Sequence, residues 1–367
     1  MIRSSKFVAI LLVLGALFAP AAVAGGKHHG GHHGNHHANR GDVRILTRNM
    51  YFGADLTRSI AATSVPELLA ANAQIFANVE HSDIPARARS IAREIARSRP
   101  DLVGLQEVSQ WLSGPIGDPA PATTVEYDQL QSLRFWLAAY GAPYKVVASQ
   151  QQISIESPAG APYNKDFRLV DRDVILAPQH SPALKLTGAT GGHFQTKLTI
   201  TSGIGQTIVV DRGWAQVDVK VRGERFRLVN THLESFHPLI RQAQAAELVA
   251  PSGPVGSAPG AAVLVGDINS DPADAPPDNF AFNVLAAAGM VDSWAQVNPG
   301  KPGDTCCFDE LLEAPSPVGV FNQRIDHVLT RGDVAVKRSR LVGLNPNNKT
   351  ASGLWPSDHA GVLATLD

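Results

Sequence analysis

The sequence of 367 residues carries 32 Lys or Arg and 33 Asp or Glu, so it has no global basic field of the kind that nucleic-acid-binding proteins show. It is long enough to bury a full core without disulfides or structural metals. The only cysteines are the neighbours Cys306 and Cys307, which excludes a framework of ordinary internal disulfides. A vicinal disulfide, free thiols and intermolecular pairing all stay open.

Residues 1–24 have the features of a secretory signal peptide. Two basic residues precede an apolar stretch over residues 7–19, and Ala22-Val23-Ala24 matches the small-residue cleavage pattern. The apolar stretch is short for a membrane span, and no later segment is longer. We expect a secreted protein, extracellular or periplasmic, with no stable membrane insertion after cleavage; a retained anchor is the alternative. Cleavage removes Arg3 and Lys6, which changes the formal net charge from −1 to −3.

Residues 25–42 form a tract rich in His and Gly. Such a composition cannot build a core, so we expect the tract to be flexible. It could bind a transition metal such as zinc, copper or nickel, and a solvated linker is an equally supported interpretation. A single domain is predicted over residues 43–367.

The first part of this domain alternates strands and helices. A strand is predicted at residues 43–46, and Ser64 with Glu67 fits a capping box at the start of a helix. A second helix, with apolar residues at helical spacing over residues 88–95, ends before Pro100, and a strand follows at residues 102–105. The side of the first helix that we expect to be buried consists of Leu68, Leu69, Asn72, Ile75 and Phe76.

The second part begins with an antiparallel hairpin. Residues 215–222 alternate strictly between apolar and polar, and Gly223-Glu224 turns the chain into a strand at residues 226–229. Further strands are predicted at residues 173–176, 262–265, 326–329 and 361–364, and helices at 238–248 and 280–288. Long loops are predicted at residues 112–124, 154–165, 178–206, 251–260, 295–320 and 342–356. Hairpins together with strand–helix alternation indicate an α/β sandwich in which two mixed sheets share a face and helices cover the outside.

Polar residues follow several predicted strands. Asp267 and Asn269 are two residues apart after the strand 262–265, so both side chains point the same way and could hold a water or a phosphoryl oxygen. The alternative is a turn, in which Asp and Asn bond their own backbone. Strand ends are also where α/β enzymes keep their sites. The other polar residues that border apolar runs are Asn49, Glu107, His232, Asp326, Asp358 and His359.

Six segments place polar residues at the borders of apolar runs, and their order along the chain is specific. They are Thr47-Arg48-Asn49-Met50, Gly104-Leu105-Gln106-Glu107-Val108, Asn230-Thr231-His232-Leu233-Glu234, Gly266-Asp267-Ile268-Asn269, Arg324-Ile325-Asp326-His327 and Ser357-Asp358-His359. Each motif is weak alone, but their joint order across residues 43–367 resembles the endonuclease/exonuclease/phosphatase superfamily, which includes deoxyribonucleases, bacterial sphingomyelinases and inositol polyphosphate phosphatases. The resemblance implies a four-layer sandwich of two mixed β-sheets packed face to face with outer helices.

The resemblance also implies phosphoester hydrolysis with a divalent metal, Mg²⁺ or Mn²⁺. Glu107 would ligate the metal, Asn49 beside it would help to hold the metal or its water, and Asp358 would be a ligand or a residue supporting one. The alternatives are ordinary: Glu107 and Asp358 could cap turns, and His232 could be a satisfied core histidine.

The resemblance assigns the chemistry to the remaining matched residues. Asp267 would orient or deprotonate the attacking water, and Asn269 would hold that water or the phosphate. His359 would bind a phosphoryl oxygen or move a proton, with Asp326 fixing its tautomer. His232 matches a second histidine that faces the phosphate.

The substrate class is open between nucleic acid and phospholipid. Arg48, Arg58, Arg172 and Arg212 are candidates for a nucleic-acid groove but form no clear basic stripe. Membrane-facing candidates are Trp111, Phe194, Phe236 and Trp355, each of which fits a core position better. A different class of function is a non-enzymatic secreted metal-binding protein that works through the His-rich tract. The helix over residues 65–79 is a candidate insertion that shapes substrate choice.

Overall fold

The structure, a computed structural model, describes residues 41–367, which lie within one compact unit. The predicted signal peptide (residues 1–24) and all but the last two residues of the His- and Gly-rich tract (25–42) lie outside the described residues. None of the described helices is long and apolar enough to cross a membrane.

The strands are β1 (Val43–Asn49), β2 (Leu102–Gln106), β3 (Gln110–Pro115), β4 (Thr124–Asp128), β5 (Tyr144–Ala159), β6 (Lys165–Pro178), β7 (Leu184–His193), β8 (Leu198–Thr201), β9 (Thr207–Val210), β10 (Gly213–Val221), β11 (Glu224–His232), β12 (Ala261–Asp267), β13 (Val291–Asp292), β14 (Asp326–Arg331), β15 (Val336–Val342) and β16 (Gly361–Leu366).

Helices connect and cover these strands. They are α1 (Thr57–Ala61), α2 (Val65–His81), α3 (Ile84–Ser98), α4 (Gln129–Ala139), α5 (Pro238–Val249), α6 (Phe280–Ala287) and α7 (Ser293–Val297), with a 3₁₀ turn at Pro346–Asn348.

The strands form two mixed sheets. The first has eight strands in the order β15-β16-β1-β2-β6-β3-β4, and β5 also pairs with β6. The second has six strands in the order β13-β14-β12-β11-β10-β7. The pairs β1–β2 and β11–β12 are parallel, whereas the other pairs in these sheets are antiparallel. Strands β8 and β9 form a separate hairpin.

The main core lies between the two sheets. Ile45 and Ile175 of the first sheet pack in one cluster with Val217 and Val263 of the second, and all four are fully buried. A second cluster joins the first sheet to α3 and α4, and a third joins the second sheet to α5 and α6. The order helix, sheet, sheet, helix confirms the predicted four-layer α/β sandwich of two mixed β-sheets packed face to face with outer helices.

The predicted elements with a strong apolar pattern are present. The apolar residues of the alternating segment in β10 are at most 4% exposed, and the hairpin turns at Gly223 as expected. Ser64 caps α2 by accepting from the Glu67 amide. The reciprocal bond of a capping box is shifted by one residue, because the Glu67 carboxylate accepts from the Thr63 amide.

Three predicted loops contain strands, and three helices, α1, α4 and α7, were not predicted. The segment 178–206 holds β7 and β8, the segment 154–165 holds the end of β5, and the segment 112–124 holds the end of β3. Strand β7 lies at a sheet edge with mostly exposed residues, including Gly188, Gly191 and Gly192, so it lacks the alternation that marks a strand. Helix α4 buries only three of its residues, which left a weak apolar stripe.

Candidate active site

One end of the sandwich collects polar residues at the ends of three strands of the first sheet, β1, β2 and β16. Asn49 ends β1 opposite Gln106 of the parallel strand β2, so Glu107 follows at the same edge. The segment 357–359 precedes β16, which runs antiparallel beside β1. The Ser357 hydroxyl donates to the Asn49 carbonyl at 2.9 Å, and the buried Arg48 guanidinium donates to the His359 carbonyl. These bonds fix His359 beside the ends of β1 and β2.

The second sheet brings three further residues to the same end. His232 of β11 pairs in register with Asp267 of β12, and Asp267 pairs with Asp326 of β14. Gly266 permits this arrangement, because a Cβ atom there would lie 1.9 Å from the Thr231 carbonyl oxygen and its φ is 149°.

A polar bridge joins the two sheets just below the site. The Asn230 amide of β11 donates to the Leu105 carbonyl at 2.9 Å and accepts from the Gln106 amide at 2.6 Å. Gly104 makes room for this bridge, since a Cβ atom there would lie 2.6 Å from the Asn230 amide oxygen. The bridge holds the two halves of the site at a fixed separation.

Asp267 lies at the centre of the cluster. Its Oδ2 atom accepts from Asn49 Nδ2 at 3.1 Å and lies 3.5 Å from His232 Nε2 and 3.8 Å from His359 Nε2. Its Oδ1 atom accepts from the Asn269 amide at 3.0 Å. Burial, followed by the charge of Asp326, raises the pKa of Asp267 to about 6.

Glu107 lies beside Asn49, on the other side from Asp267. Its Oε1 atom accepts from Asn49 Nδ2 at 3.2 Å, and its Oε2 atom accepts from the Phe52 amide at 3.0 Å. Burial and the nearby charge of Asp358 raise the pKa of Glu107 to about 8. Asn49 Oδ1 accepts from the Tyr51 amide at 2.8 Å, which turns the amide nitrogen of Asn49 toward both carboxylates.

His359 and Asp326 form a buried pair. His359 Nδ1 lies 2.8 Å from Asp326 Oδ2, and the other oxygen of Asp326 has no hydrogen-bond partner among the described residues. Burial disfavours the charged form of His359, but the charges of Asp326 and Asp358 outweigh it and raise its pKa well above the ordinary value. The imidazole is therefore held as a cation that presents Nε2 toward Asp267.

His232 has the opposite electrostatic environment. Burial, followed by the positive charges of Arg212 and His359, lowers the pKa of His232 well below its ordinary value. Its Nδ1 atom has no hydrogen-bond partner within the described part of the chain. The site thus pairs one neutral and one cationic imidazole around a single carboxylate.

The predicted site residues share one cleft or touch residues that line it. Glu107, His232, Asp267, Asn269, Asp358 and His359 line a cleft of about 950 Å³. Asn49 and Asp326 bond directly to Asp267 and His359. The Asn269 side chain donates to the Leu233 carbonyl at 3.0 Å, which fixes its amide, and the residue has a left-handed φ of 50° that Asn tolerates. The cysteines at the rim form a vicinal disulfide, one of the three states left open above.

Three charged residues of this cluster, Asp171, Asp173 and Arg212, were not predicted as site residues from the sequence. Asp171 and Asp173, on one face of β6, are fully buried, and Arg212 Nη1 lies 3.9 Å from Asp171 Oδ2. Asp173 was left out of the predicted site, although Gln152 donates to it at 2.7 Å and the charge of Asp267 is one of the causes that raise its pKa. The Asp-x-Asp spacing in a strand was the available signal, because it places both carboxylates on one face.

Arg212 was predicted only as a candidate for a nucleic-acid groove. It lines the cleft, and its Nε and Nη1 atoms have no hydrogen-bond partner among the described residues. The other three candidate arginines form ion pairs with other residues. Arg48 is buried beside Glu94, Arg58 pairs with Glu310, and Arg172 pairs with Asp128. Arg212 is therefore the guanidinium that faces the catalytic end of the cleft.

The donor set of the cluster fits a hard divalent cation. The carboxylates of Asp171, Asp173, Asp267 and Asp326 are buried, those of Glu107 and Asp358 are half-buried, and several of the six raise the pKa values of others in the group. Asp267, Asp326 and His359 each offer an atom within 4.8 Å of the others, as a metal-binding group would. The 2.8 Å contact between His359 Nδ1 and Asp326 Oδ2 already occupies one possible ligand atom of each of these two residues.

A sequence profile of the endonuclease/exonuclease/phosphatase family matches residues 75–359. The chain belongs to this family, as its motifs predicted, and the family and the site are those of a phosphoester hydrolase. A comparison with curated proteins finds no match.

Solved structures share the fold. An endonuclease/exonuclease/phosphatase from Bacteroides vulgatus is 18% identical with a TM-score of 0.51, and the match covers 89% of this chain and 99% of that chain. D. rerio TDP2 in complex with a single-strand DNA product is 17% identical with a TM-score of 0.50 and the same coverage. The mannosyl-6-phosphatase of Bacteroides thetaiotaomicron is 16% identical, also with a TM-score of 0.50 and the same coverage. At these identities the likeness concerns the fold.

Proposed function

We propose that this chain is a secreted, divalent-metal-dependent phosphoester hydrolase in which water attacks a phosphodiester in line. The supporting observation is the position of Asp267 Oδ2, which lies 3.1 to 3.8 Å from Asn49, His232 and His359 at one end of the cleft. A water and a phosphoryl group placed there would meet a base and two imidazoles together.

Asp267 acts as the base or orients the water. A carboxylate with a pKa of about 6 is ionised at neutral pH and still basic enough to take a proton from an attacking water. The water oxygen forms the new bond to phosphorus, its proton passes to Asp267, and the ester P–O bond breaks as the leaving oxygen takes a proton from solvent. Asn269, whose backbone amide bonds Asp267, keeps that carboxylate in place.

The phosphoryl oxygens are held by cationic and neutral donors. The His359 imidazolium, held by Asp326, and the guanidinium of Arg212, whose Nε and Nη1 atoms have no hydrogen-bond partner among the described residues, stabilise the charge that grows on these oxygens. His232, kept neutral, can donate a hydrogen bond to the phosphoryl group without adding charge. Each such donor is worth on the order of 10² to 10³ in rate in a dry site.

Bound Mg²⁺ or Mn²⁺ would supply a Lewis acid and a template for in-line attack. Glu107 and Asp358 would hold it, and Asn49 would fix Glu107 through their 3.2 Å bond. Burial is the first cause of the raised pKa values of both carboxyls. A cation bound between them would favour their ionised forms and lower these pKa values.

The proposed substrate is a nucleic acid or a phospholipid head group. This choice of two classes rests only on the range of substrates within the family. The two named structural neighbours, TDP2 with its DNA product and a mannosyl phosphatase, share the fold at low identity, so they do not separate these classes. Secretion rests on the signal-like features of residues 1–24.

Turnover of bis(para-nitrophenyl) phosphate tests the proposal. The purified mature protein should hydrolyse it in Mg²⁺ and lose activity in chelator, and adding Mg²⁺ back should restore it. Asp267→Ala and His359→Ala, each shown to be folded by circular dichroism, should lose nearly all turnover. Normal turnover in either folded variant, or in chelator, would contradict the proposal.

A further inference from the structure

The cleft extends from the catalytic residues into an apolar groove. We define the apolar groove by six residues that line the same cavity as Asp267 and His359: Ile60, Phe76, Ile153, Ile155, Ile208 and Val209. They come from α1, α2, β5 and β9. A ligand with one end at the catalytic cluster therefore shares its cavity with these side chains.

The groove exposes apolar surface in a concave site. Ile60, Ile153, Ile155 and Ile208 are half-buried, and Val209 is 48% exposed. Apolar surface gathered in a cavity, unlike single apolar residues scattered on a surface, marks a site for an apolar ligand group. Phe236 also lines the cleft and is 55% exposed. The core position that the sequence favoured for it is therefore wrong.

The floor of the groove is preformed. Phe76 stacks on Phe167 with ring centroids 3.5 Å apart and meets Tyr163 edge-on at 5.1 Å. Trp111 packs against Phe76 and donates its indole N–H to the Phe52 carbonyl at 2.8 Å. Aromatic packing of this kind holds the wall in place without a ligand, so binding would cost little ordering of the protein.

The hairpin β8–β9 closes one side. Its Gly203 amide donates to the Ile60 carbonyl at 3.0 Å, so the tip of the hairpin is tied to the end of α1. A Cβ atom at Gly203 would lie 2.4 Å from the Ala62 carbonyl oxygen, so this approach requires glycine. The contact places Ile208 and Val209 of the hairpin opposite the β5 wall in the same cavity.

Charge argues against a polyanion in the groove. Among the described residues that line the cleft, Arg212 is the single Lys or Arg, and it acts on His232 at the catalytic end. Asp55, Glu156 and Glu310 line the remainder. A nucleic acid draws most of its binding from cations that neutralise successive phosphates, whereas this cleft has a cation for one phosphate.

We propose that the apolar groove binds the hydrocarbon chain of the substrate, so that the substrate class is an amphiphilic phosphodiester of the phospholipid type. The single phosphodiester group lies at Asp267, His359 and Arg212, and the chain lies along Ile155 and Ile208. This inference rests on the proposed function, because it takes the phosphoryl position from the catalytic cluster.

A homologous substrate series tests the groove in the wild-type protein. The probes are para-nitrophenyl phosphodiesters whose second ester is methyl, butyl, hexyl or octyl, each below its critical micelle concentration and in Mg²⁺. We expect kcat/KM to rise by up to about fourfold per added methylene, the factor that ~0.8 kcal/mol per buried CH₂ gives, until the groove is full. A single-stranded DNA oligonucleotide should be a poor substrate.

The outcomes separate the two proposals. Equal kcat/KM along the series would overturn the groove while leaving the hydrolase intact, because the methyl ester would still turn over. No turnover of any member would overturn the proposed function itself. DNA cleaved faster than the octyl diester, with a steep loss in salt, would overturn the groove in favour of a nucleic-acid substrate.

Variants locate the effect. Ile155→Asp and Ile208→Asp should remove the dependence on chain length while keeping kcat/KM for the methyl ester, because neither residue is in the catalytic cluster. Val125→Asp is the matched control: Val125 lies on β4, is 50% exposed and is outside the cleft lining, so this variant should behave as wild type. Retained chain-length dependence in both groove variants would contradict the assignment, and the wild-type series decides it if either variant fails to fold.

Discussion

Replacing Asp326 by Asn removes the negative charge behind His359. Asp326 Oδ2 lies 2.8 Å from His359 Nδ1, its Oδ1 atom has no hydrogen-bond partner among the described residues, and its charge is the first of those that raise the pKa of His359. The same charge raises the pKa of Asp267. The variant keeps an oxygen that can accept from Nδ1 but removes the charge that offsets burial. The pKa of His359 should therefore fall, and the imidazole should be neutral at a pH where the wild type holds it cationic.

The expected loss is large because the imidazolium is one of the donors to the phosphoryl group. Removing such a donor costs on the order of 10² to 10³ in kcat, about 3 to 4 kcal/mol of barrier. A group whose pKa is raised in the folded state stabilises the fold below its unfolded pKa, and that contribution is lost as pH rises through the folded value. Because the pKa of His359 falls in Asp326→Asn, the imidazolium loses its proton at a lower pH. The high-pH limb of the kcat profile should move to lower pH with it.

A second buried Asp–His pair provides the control. Asp292 Oδ2 lies 3.6 Å from His327 Nδ1 and accepts from the Arg324 guanidinium, and Asp292 and His327 are outside the cleft lining. Asp292→Asn should lower the melting temperature but keep kcat on bis(para-nitrophenyl) phosphate. If Asp326→Asn, folded, keeps wild-type kcat, or if both variants lose kcat equally, the assigned role of the Asp326–His359 pair is wrong.

Three further predictions follow from the charges of the site and from the tract before it. Activity in Mg²⁺ should rise with pH through about 6, where Asp267 ionises. Because the pKa of Asp267 is raised in the folded protein, the metal-free protein should lose stability as pH rises through the same range, and thermal unfolding measures this loss. An activity and a stability that do not change with pH in this range would contradict the raised pKa of Asp267. Arg212→Met should lower kcat/KM by about 10² with Arg212→Lys partly restoring it, and wild-type kinetics in the Met variant would remove Arg212 from the phosphoryl site. Deleting residues 25–40 should leave turnover in excess Mg²⁺ unchanged; loss of it would instead support the metal-binding role of the His-rich tract.

Elements whose patterns reflect burial on one or both faces were predictable from sequence. Strand β10 alternates because one face lies in the core between the sheets, and β12 is apolar throughout because it is covered on both faces. Strand β7 was not predictable, because its pairing with β10 is made by backbone groups and most of its residues are exposed. The end of β5 was hidden for a similar reason, since it pairs with β6 while its side chains are mixed in polarity.

The residues of the site also divide into those that a local sequence pattern indicates and those that only the folded chain brings together. Asp267 and Asn269 could be found from one segment, because a strand followed by two polar residues is a local pattern. Arg212 and Asp171 could not, because their meaning depends on a 3.9 Å approach between β6 and the residue before β10, which no local pattern encodes. The apolar groove has the same character: Ile60, Ile155 and Ile208 come from separate elements and acquire a common role only in the folded chain.

The most direct measurement of the central claim is hydrolysis of bis(para-nitrophenyl) phosphate in water enriched in ¹⁸O, with Mg²⁺, by the wild type and by folded Asp267→Ala. Attack of water on phosphorus at the cluster around Asp267 predicts one ¹⁸O in the phosphoryl product of the wild type, none in para-nitrophenol, and almost no product from the variant. Label in para-nitrophenol, or equal labelled product from both proteins, would contradict it.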